Sequence, residues 1–335
     1  MGAVIAAIVG VAALGWFAGP DPSQGPGLPP LTTTTRTAPA LSKIIDIPVG
    51  PYPDGVAVSP NGSRVYVAID NSNTVQVIGT GGNAVVDTIT VGEHPEGVAV
   101  SPDGRRLYVT NHDSDNVSVI DTGDNTVTAT VPVGDNPRDV AVSPDGRHAY
   151  ITNSGSDTVS VIDPGGKNVV GPIPSLGYGP IGVAFSPNRH RAYVSNRHSD
   201  TVSAIDTDNN IVTDTVDVGK HPEDVAVSPD GSRVYVTNYD SGTVSVIDIN
   251  DDIVIDVPVG DHPEDVAVSP DGSRVYVTNY DSDTVSVIDT GDNTVTATVD
   301  VGKHPGAIAV SLDGRRVYVT NYDSGNVSVI DTGIG

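Results

Sequence analysis

Short apolar runs broken by Asp, Gly, Asn and Ser recur along most of the chain. A unit read from Pro222 runs PEDVAVSPDG, SRVYVTNYDS, GTVSVIDIN and DDIVIDVPVG, four stretches rich in β-formers. Runs such as VAVS and VYVT lack polar alternation, which predicts strands buried on both faces, as when a sheet lies between two neighbouring sheets. Ser-Pro or its equivalent stands at 59, 101, 143, 186, 228, 269 and 311, with spacings of 42, 42, 43, 42, 41 and 42. Four strands in such a period is the rhythm of a β-propeller. Seven copies predict an all-β, seven-bladed propeller with four antiparallel strands per blade.

The two ends of the repeat array strengthen this reading. The seventh unit stops at Val327-Ser-Val-Ile-Asp-Thr-Gly333 and lacks its fourth strand. A matching segment, Ser42 to Gly50 (SKIIDIPVG), stands just before the first unit and parallels NTVTATVDVG at 293–302. Strand 43–49 is therefore expected to complete the last blade, because pairing its open edge closes the ring.

The repeats carry VYVTN at 234–238, 275–279 and 317–321, with near matches at 107–111, 149–153 and 192–196; the first unit departs with VYVAI at 65–69. Over about residues 43–333 the chain resembles the YVTN-repeat propellers, a family that includes YncE-like and surface-layer-like proteins. That resemblance implies the fold closely. It implies little about chemistry, since similar propellers serve as surface proteins, lactonase-like enzymes and redox-enzyme domains.

Residues 1–19 (MGAVIAAIVGVAALGWFAG) carry no charged side chain and nearly suffice, as a helix, to span a bilayer core. The usual basic region and cleavage site of a secretory signal are missing, so an uncleaved transmembrane anchor is expected, with secretion as the alternative. The missing basic flank also points to a natural start upstream of Met1. Residues 20–41 are rich in Pro and Thr and read as an extended spacer, leaving 42–335 as the propeller. The expected location is extracytoplasmic, with membrane contact through the N-terminal segment only.

Composition narrows the function. The chain holds 42 acidic and 17 basic residues, net −25, and Glu occurs only at 93, 96, 223 and 264. Such charge repels a phosphate backbone, so no nucleic acid partner is expected. Absence of Cys removes disulfides, thiolate metal sites and Cys nucleophiles. No nucleophile elbow, phosphate loop or H-E-x-x-H motif is present, so no catalytic residue is nominated.

With strands lettered a to d from the channel outward, the d-to-a and b-to-c loops share one face and the Asp-Gly hairpins lie on the other. The d-to-a loop reads Gly-x-x-Pro, with Tyr52, His94, Asn136, Gly179, His221, His262 and His304 at its third position. Glu96, Glu223 and Glu264 follow two residues after three of the histidines. Imidazoles converging on an axis are one route to a metal site, with His221, His262 and His304 as its ligands. The competing explanation is duplication, since residues 221–241 and 262–282 are identical over 21 positions. Cofactor expectation is accordingly none, with a metal ion as the exception.

The b-to-c loops carry His112, Arg197, His198, Tyr239, Tyr280 and Tyr322, residue types suited to recognising a protein, glycan or small molecule. Arg189-His190-Arg191 and Arg197-His198 form a cationic departure in the fourth repeat, which suits an acidic ligand or reflects drift in one copy. Asp113-Ser-Asp115, Asp281-Ser-Asp283 and Asp289-Thr-Gly-Asp292 invite a calcium reading, but turn formation explains them more simply. The function expected is a binding or sensor module acting through the d-to-a and b-to-c loop face. Two alternatives stand: a lactonase-like hydrolase or lyase at the channel mouth, and a metal-binding, redox-associated propeller.

Overall fold

The structure, a computed structural model, describes residues 41–335 apart from 164, 166, 175, 188, 189, 251, 252, 334 and 335. The expected anchor at 1–19 and the spacer up to residue 40 lie outside the described residues. Among the described residues no helix is long and apolar enough to cross a membrane.

The strands form seven antiparallel sheets of four. Blade 1 uses, from the channel outward, Pro53–Val58, Arg64–Ile69, Thr74–Gly79 and Ala84–Thr90. Blades 2 to 6 repeat that order, and the inner strand of each touches the inner strand of the next, including Pro305–Val310 against Pro53–Val58. The circle is complete.

Blade 7 takes its outermost strand from the N-terminal end. Ser42–Pro48 pairs antiparallel with Asn326–Asp331, with Ile47 opposite Val327, Asp46 opposite Ser328 and Ile45 opposite Val329. Val49 N–H donates to the Gly325 carbonyl at 3.0 Å and Ser328 Oγ donates to Asp46 Oδ1 at 2.7 Å. Ile47, 1% exposed, sits in an apolar cluster with Val327 of its own blade and Val56, Val65 and Ile78 of blade 1. This is the closure expected from the split repeat.

Each residue of the YVTN motif has a separate structural task. The tyrosine packs into the interface with the following blade: Tyr66 lies among Val98, Leu107 and Val109, and Tyr318 among Val56, Val65 and Val67. Seven such clusters, one per blade boundary, make up the core, which is why VYVT shows no polar alternation.

The threonine hydroxyl bridges outward to the next blade. Thr110 Oγ1 accepts from Gly97 N–H at 2.7 Å and donates to the Arg138 carbonyl at 2.6 Å, while Thr237 Oγ1 does the same for Asp224 and Glu264 at 2.9 and 2.8 Å. The asparagine, fully buried, fixes the loop that leads into its own blade. Asn279 Nδ2 donates to Thr284 Oγ1 and Ser286 Oγ at 3.0 and 2.9 Å, and its Oδ1 accepts from Gly260 N–H at 3.0 Å. A Cβ at Gly260 would lie 2.6 Å from Asn279 Cγ, so only glycine fits there.

Removing the closing contact tests the ring. Ile47→Ala should lower unfolding stability by about 2–4 kcal/mol, the usual cost of emptying a buried aliphatic site. A chain begun at Gly50 should lose its single cooperative transition in urea. An unchanged urea midpoint for either protein would show that the ring does not need this strand.

Candidate functional site

Strand a begins at the loop proline, and in every blade the pairing of strands a and b shifts register between that proline and the valine or isoleucine three residues on. The two residues in between line a central cavity of about 560 Å³, joined by side chains from the b-to-c loops above. The first ring reads Asp54, Glu96, Arg138, Ile181, Glu223, Glu264 and Gly306 around the blades. Asp139, Asp224 and Asp265 belong to the second ring, and Arg197, Tyr239, Tyr280 and Tyr322 reach in from the loops.

One side of the cavity is closed by ion pairs. Arg138 Nη1 donates to both oxygens of Glu96 at 3.0 and 3.1 Å, and Arg197 Nη1 lies 2.9 Å from Glu223 Oε1, with its guanidinium carbon 5.6 Å from the Tyr239 ring centre. On the other side, Glu264 and Asp54 make no ion pair among the described residues. The Oε2 oxygen of Glu264 is buried and accepts no hydrogen bond. Between these two carboxyls the inner strand of blade 7 contributes only Gly306 and Ala307, where blades 5 and 6 carry Glu-Asp, and Tyr322 enters from the loop of the same blade.

Below, the second ring ties blades together. Asp139 Oδ2 accepts from Val183 N–H at 3.0 Å, Asp224 Oδ2 from Val266 N–H at 3.2 Å and Asp265 Oδ2 from Ile308 N–H at 2.6 Å, each in the next blade. Asp224 and Asp265 also hydrogen-bond to each other, which helps raise Asp224 and opposes the effect of burial on Asp265.

Burial is the main force on these acids. It pushes Glu96 up to about 8, with Asp54 adding to the rise and Arg138 opposing it. Glu223 is pushed to about 7 against the pull of Arg197, and Asp139 to about 7 with help from Asp224. Asp54 and Asp265 rise to about 6, in both cases chiefly through burial. Glu264 is held well above the usual carboxylate range by burial, then by Asp54 and Glu223. Losing water costs a charge more than two guanidiniums return, so these acids hold protons towards neutrality.

The histidines stand elsewhere. His94, His221, His262 and His304 occupy a left-handed turn, with φ between 49° and 51°, and the equivalent residues Tyr52, Asn136 and Gly179 share that conformation. Histidine, asparagine and glycine tolerate this region better than most residues, which accounts for their recurrence at one loop position. Each imidazole is turned onto an aspartate: His221 Nδ1 to Asp240 and His262 Nδ1 to Asp281, both at 2.6 Å, His304 Nδ1 to Asp323 at 2.7 Å, and His94 Nδ1 to Asp70 at 2.6 Å. His262 stacks on Tyr239 with ring centres 4.3 Å apart and His304 on Tyr280 at 4.4 Å.

The expected convergence of imidazoles on the axis is therefore corrected, because they form a collar outside the cavity and none lines it. Among the described residues no group of three or more His, Asp or Glu is arranged to hold a metal ion.

Of the other loop residues named from sequence, Arg197, Tyr239, Tyr280 and Tyr322 enter the cavity with Glu96, Glu223 and Glu264, whereas His112 and His198 do not. His112 Nδ1 pairs with Asp113 at 2.7 Å, and His198 meets His221 edge-on at 6.0 Å. The cationic fourth repeat is divided by its own strand: Arg191 begins Arg191–Asn196 and Arg197-His198 follow its far end, while Arg189 lies outside the described residues. His190 pairs with Asp208 at 3.3 Å.

The aspartates considered for calcium serve the turns. Asp115 Oδ1 accepts from Asn136 N–H at 2.9 Å, Asp283 Oδ1 from His304 N–H at 3.0 Å and Asp289 Oδ1 from Gly291 N–H at 2.8 Å.

Sequence reasoning overlooked Asp54 and Arg138 and the three second-ring aspartates. The signal existed, for Asp54 and Arg138 fill the same place after the loop proline as Glu96, Glu223 and Glu264.

A raised carboxyl stabilises the fold fully below its unfolded pKa of about 4 and loses that contribution as pH rises through its folded value. From the values above the loss falls between about pH 4 and 8. The melting temperature should therefore drop by about 5 °C or more between pH 5.5 and 8.5. Glu264→Gln, which carries no charge, should flatten that slope and melt higher than the parent at pH 8.5. Parallel melting curves across this range for parent and variant would contradict the assignment.

Comparison with known proteins matches the geometry. The YncE-like β-propeller family matches residues 101–271. Among solved structures, one of Kuenenia stuttgartiensis hydrazine synthase aligns with a TM-score of 0.80 at 26% identity, covering 85% of this chain and 97% of that one. No curated protein matches the chain. With repeats, blades and motif roles all of one kind, the chain belongs to the YncE-like β-propeller family.

Proposed function

We propose that this propeller is an extracytoplasmic binding module, tethered by residues 1–19, whose d-to-a and b-to-c loop face receives a ligand at the mouth of the central cavity. The observation that carries the reading is the lining itself. Around a ring of near-identical repeats, the residues facing the cavity differ from blade to blade, from Arg138 and Ile181 to Glu264 and Gly306. A purely structural channel gains nothing from such variety, whereas a binding site needs an asymmetric set of polar groups within an enclosed space.

Aromatic side chains at the mouth support the same view. Tyr239, Tyr280 and Tyr322 present rigid surface at low entropic cost, and the histidine collar holds two of them in place by stacking. The uncharged stretch 1–19 supports membrane attachment on sequence grounds. The hydrolase reading lacks support from the rim histidines, none of which lines the cavity.

A thermal-shift panel of amines, dicarboxylates and oligosaccharides tests the module. At least one class should raise the melting temperature of the parent protein, and the paired change Tyr239→Ala with Tyr280→Ala should abolish that rise. Leu312→Ala, at an exposed site on the opposite face, should leave it intact. A rise that survives the tyrosine changes but vanishes with Leu312→Ala would place binding on the wrong face.

A further inference from the structure

Charge and shape together specify what the cavity takes, given the binding-module reading on which this step rests. Both guanidiniums are paired, Arg138 with Glu96 and Arg197 with Glu223, while Arg138 Nε is buried without an acceptor among the described residues. What remains of the first-ring acids without an ion pair among the described residues is Glu264 and Asp54, on either side of Gly306 and Ala307 of blade 7. Their charges act on one another, and each is also sensed by a loop tyrosine: Glu264 by Tyr280 and Asp54 by Tyr322. The buried Oε2 of Glu264, lacking any donor, is an acceptor held ready for one.

We propose that the blade 6 to blade 1 side of the cavity binds an organic ammonium group, with Glu264 and Asp54 as its counter-charge and Tyr280 and Tyr322 as its aromatic walls. An alkylammonium supplies the missing donors to Glu264 and suits the ring faces of tyrosine. A cavity of about 560 Å³ is far larger than a bare metal ion needs, and no metal-holding group is found among the described residues. An anionic ligand would find a donor in Arg138 Nε but would face seven carboxyls around the cavity. The protein's net charge of −25 also draws cations towards the mouth.

Binding is coupled to protons. The groups facing Glu264 are Asp54, Glu223, Arg138, Arg197, Tyr239 and Tyr280, and those facing Asp54 are Asp70, Glu96, Arg138 and Tyr322, so the pair sits among three further carboxyls and two guanidiniums. A cation entering between Glu264 and Asp54 favours their ionised forms and expels the protons they hold. Affinity therefore rises with pH through the range where these acids titrate.

Calorimetry on the full chain with spermidine, and separately with a lysine-containing tripeptide, tests the proposal and tells a free amine from a protein side chain. Saturable binding of either is expected, roughly tenfold tighter at pH 8.5 than at pH 6, with protons released to the buffer. Glu264→Gln should weaken it by roughly tenfold or more while preserving the circular dichroism spectrum. Malonate bound in place of both amines, calcium chloride bound alone, or equal amine affinity in Glu264→Gln would each overturn the ammonium assignment and leave the module standing. Failure of every amine, dicarboxylate and oligosaccharide would remove the module reading as well.

Discussion

A closed ring of sheets tolerates no free edge, and everything in this structure depends on the pairing that removes the last one. Ser42–Pro48 supplies the outer strand of blade 7, and Ile47 fills the boundary between the last blade and the first. The hydrogen bonds satisfy an exposed ladder, and the buried side chain joins chain segments almost the whole sequence apart. Opening this seam would uncouple the inner strands Pro305–Val310 and Pro53–Val58, which carry Gly306 and Asp54 of the cavity lining.

The motif that stabilises the ring also builds the site. Tyrosine fills each blade boundary, threonine grips the carbonyl of the channel-lining residue in the next blade, and asparagine holds the loop glycine. Arg138 and Glu264 thus project from backbone that is already fixed by Thr110 and Thr237. Variation at the channel position changes chemistry without disturbing the frame, because the frame uses different side chains. This separation explains how one fold carries unrelated functions.

Stability and binding pull in opposite directions inside the cavity. Seven carboxyls around it answer to two guanidiniums, and burial makes their charges expensive. An interior selected for stability alone would hold apolar side chains there. Under the proposed binding role, a buried acid such as Glu264 without a partner is kept for a ligand that arrives from outside.

Repetition made the fold legible from sequence. A regular period fixes blade number, VYVT declares strands buried on both faces, and the displaced fourth strand at 43–49 announces closure, because each is a local or one-dimensional property. The site was legible only in part. Glu96, Glu223, Glu264 and the loop tyrosines could be placed on the correct face, yet the histidines beside them drew attention by type, although a left-handed backbone accounts for them. Which side chains point to the axis, which arginine neutralises which acid, and which acid is left over are decided by neighbours in other blades. Glu96 meets Arg138 and Glu223 meets Arg197 across blade boundaries, while Glu264 meets neither, because distance around a ring is not recorded along the chain.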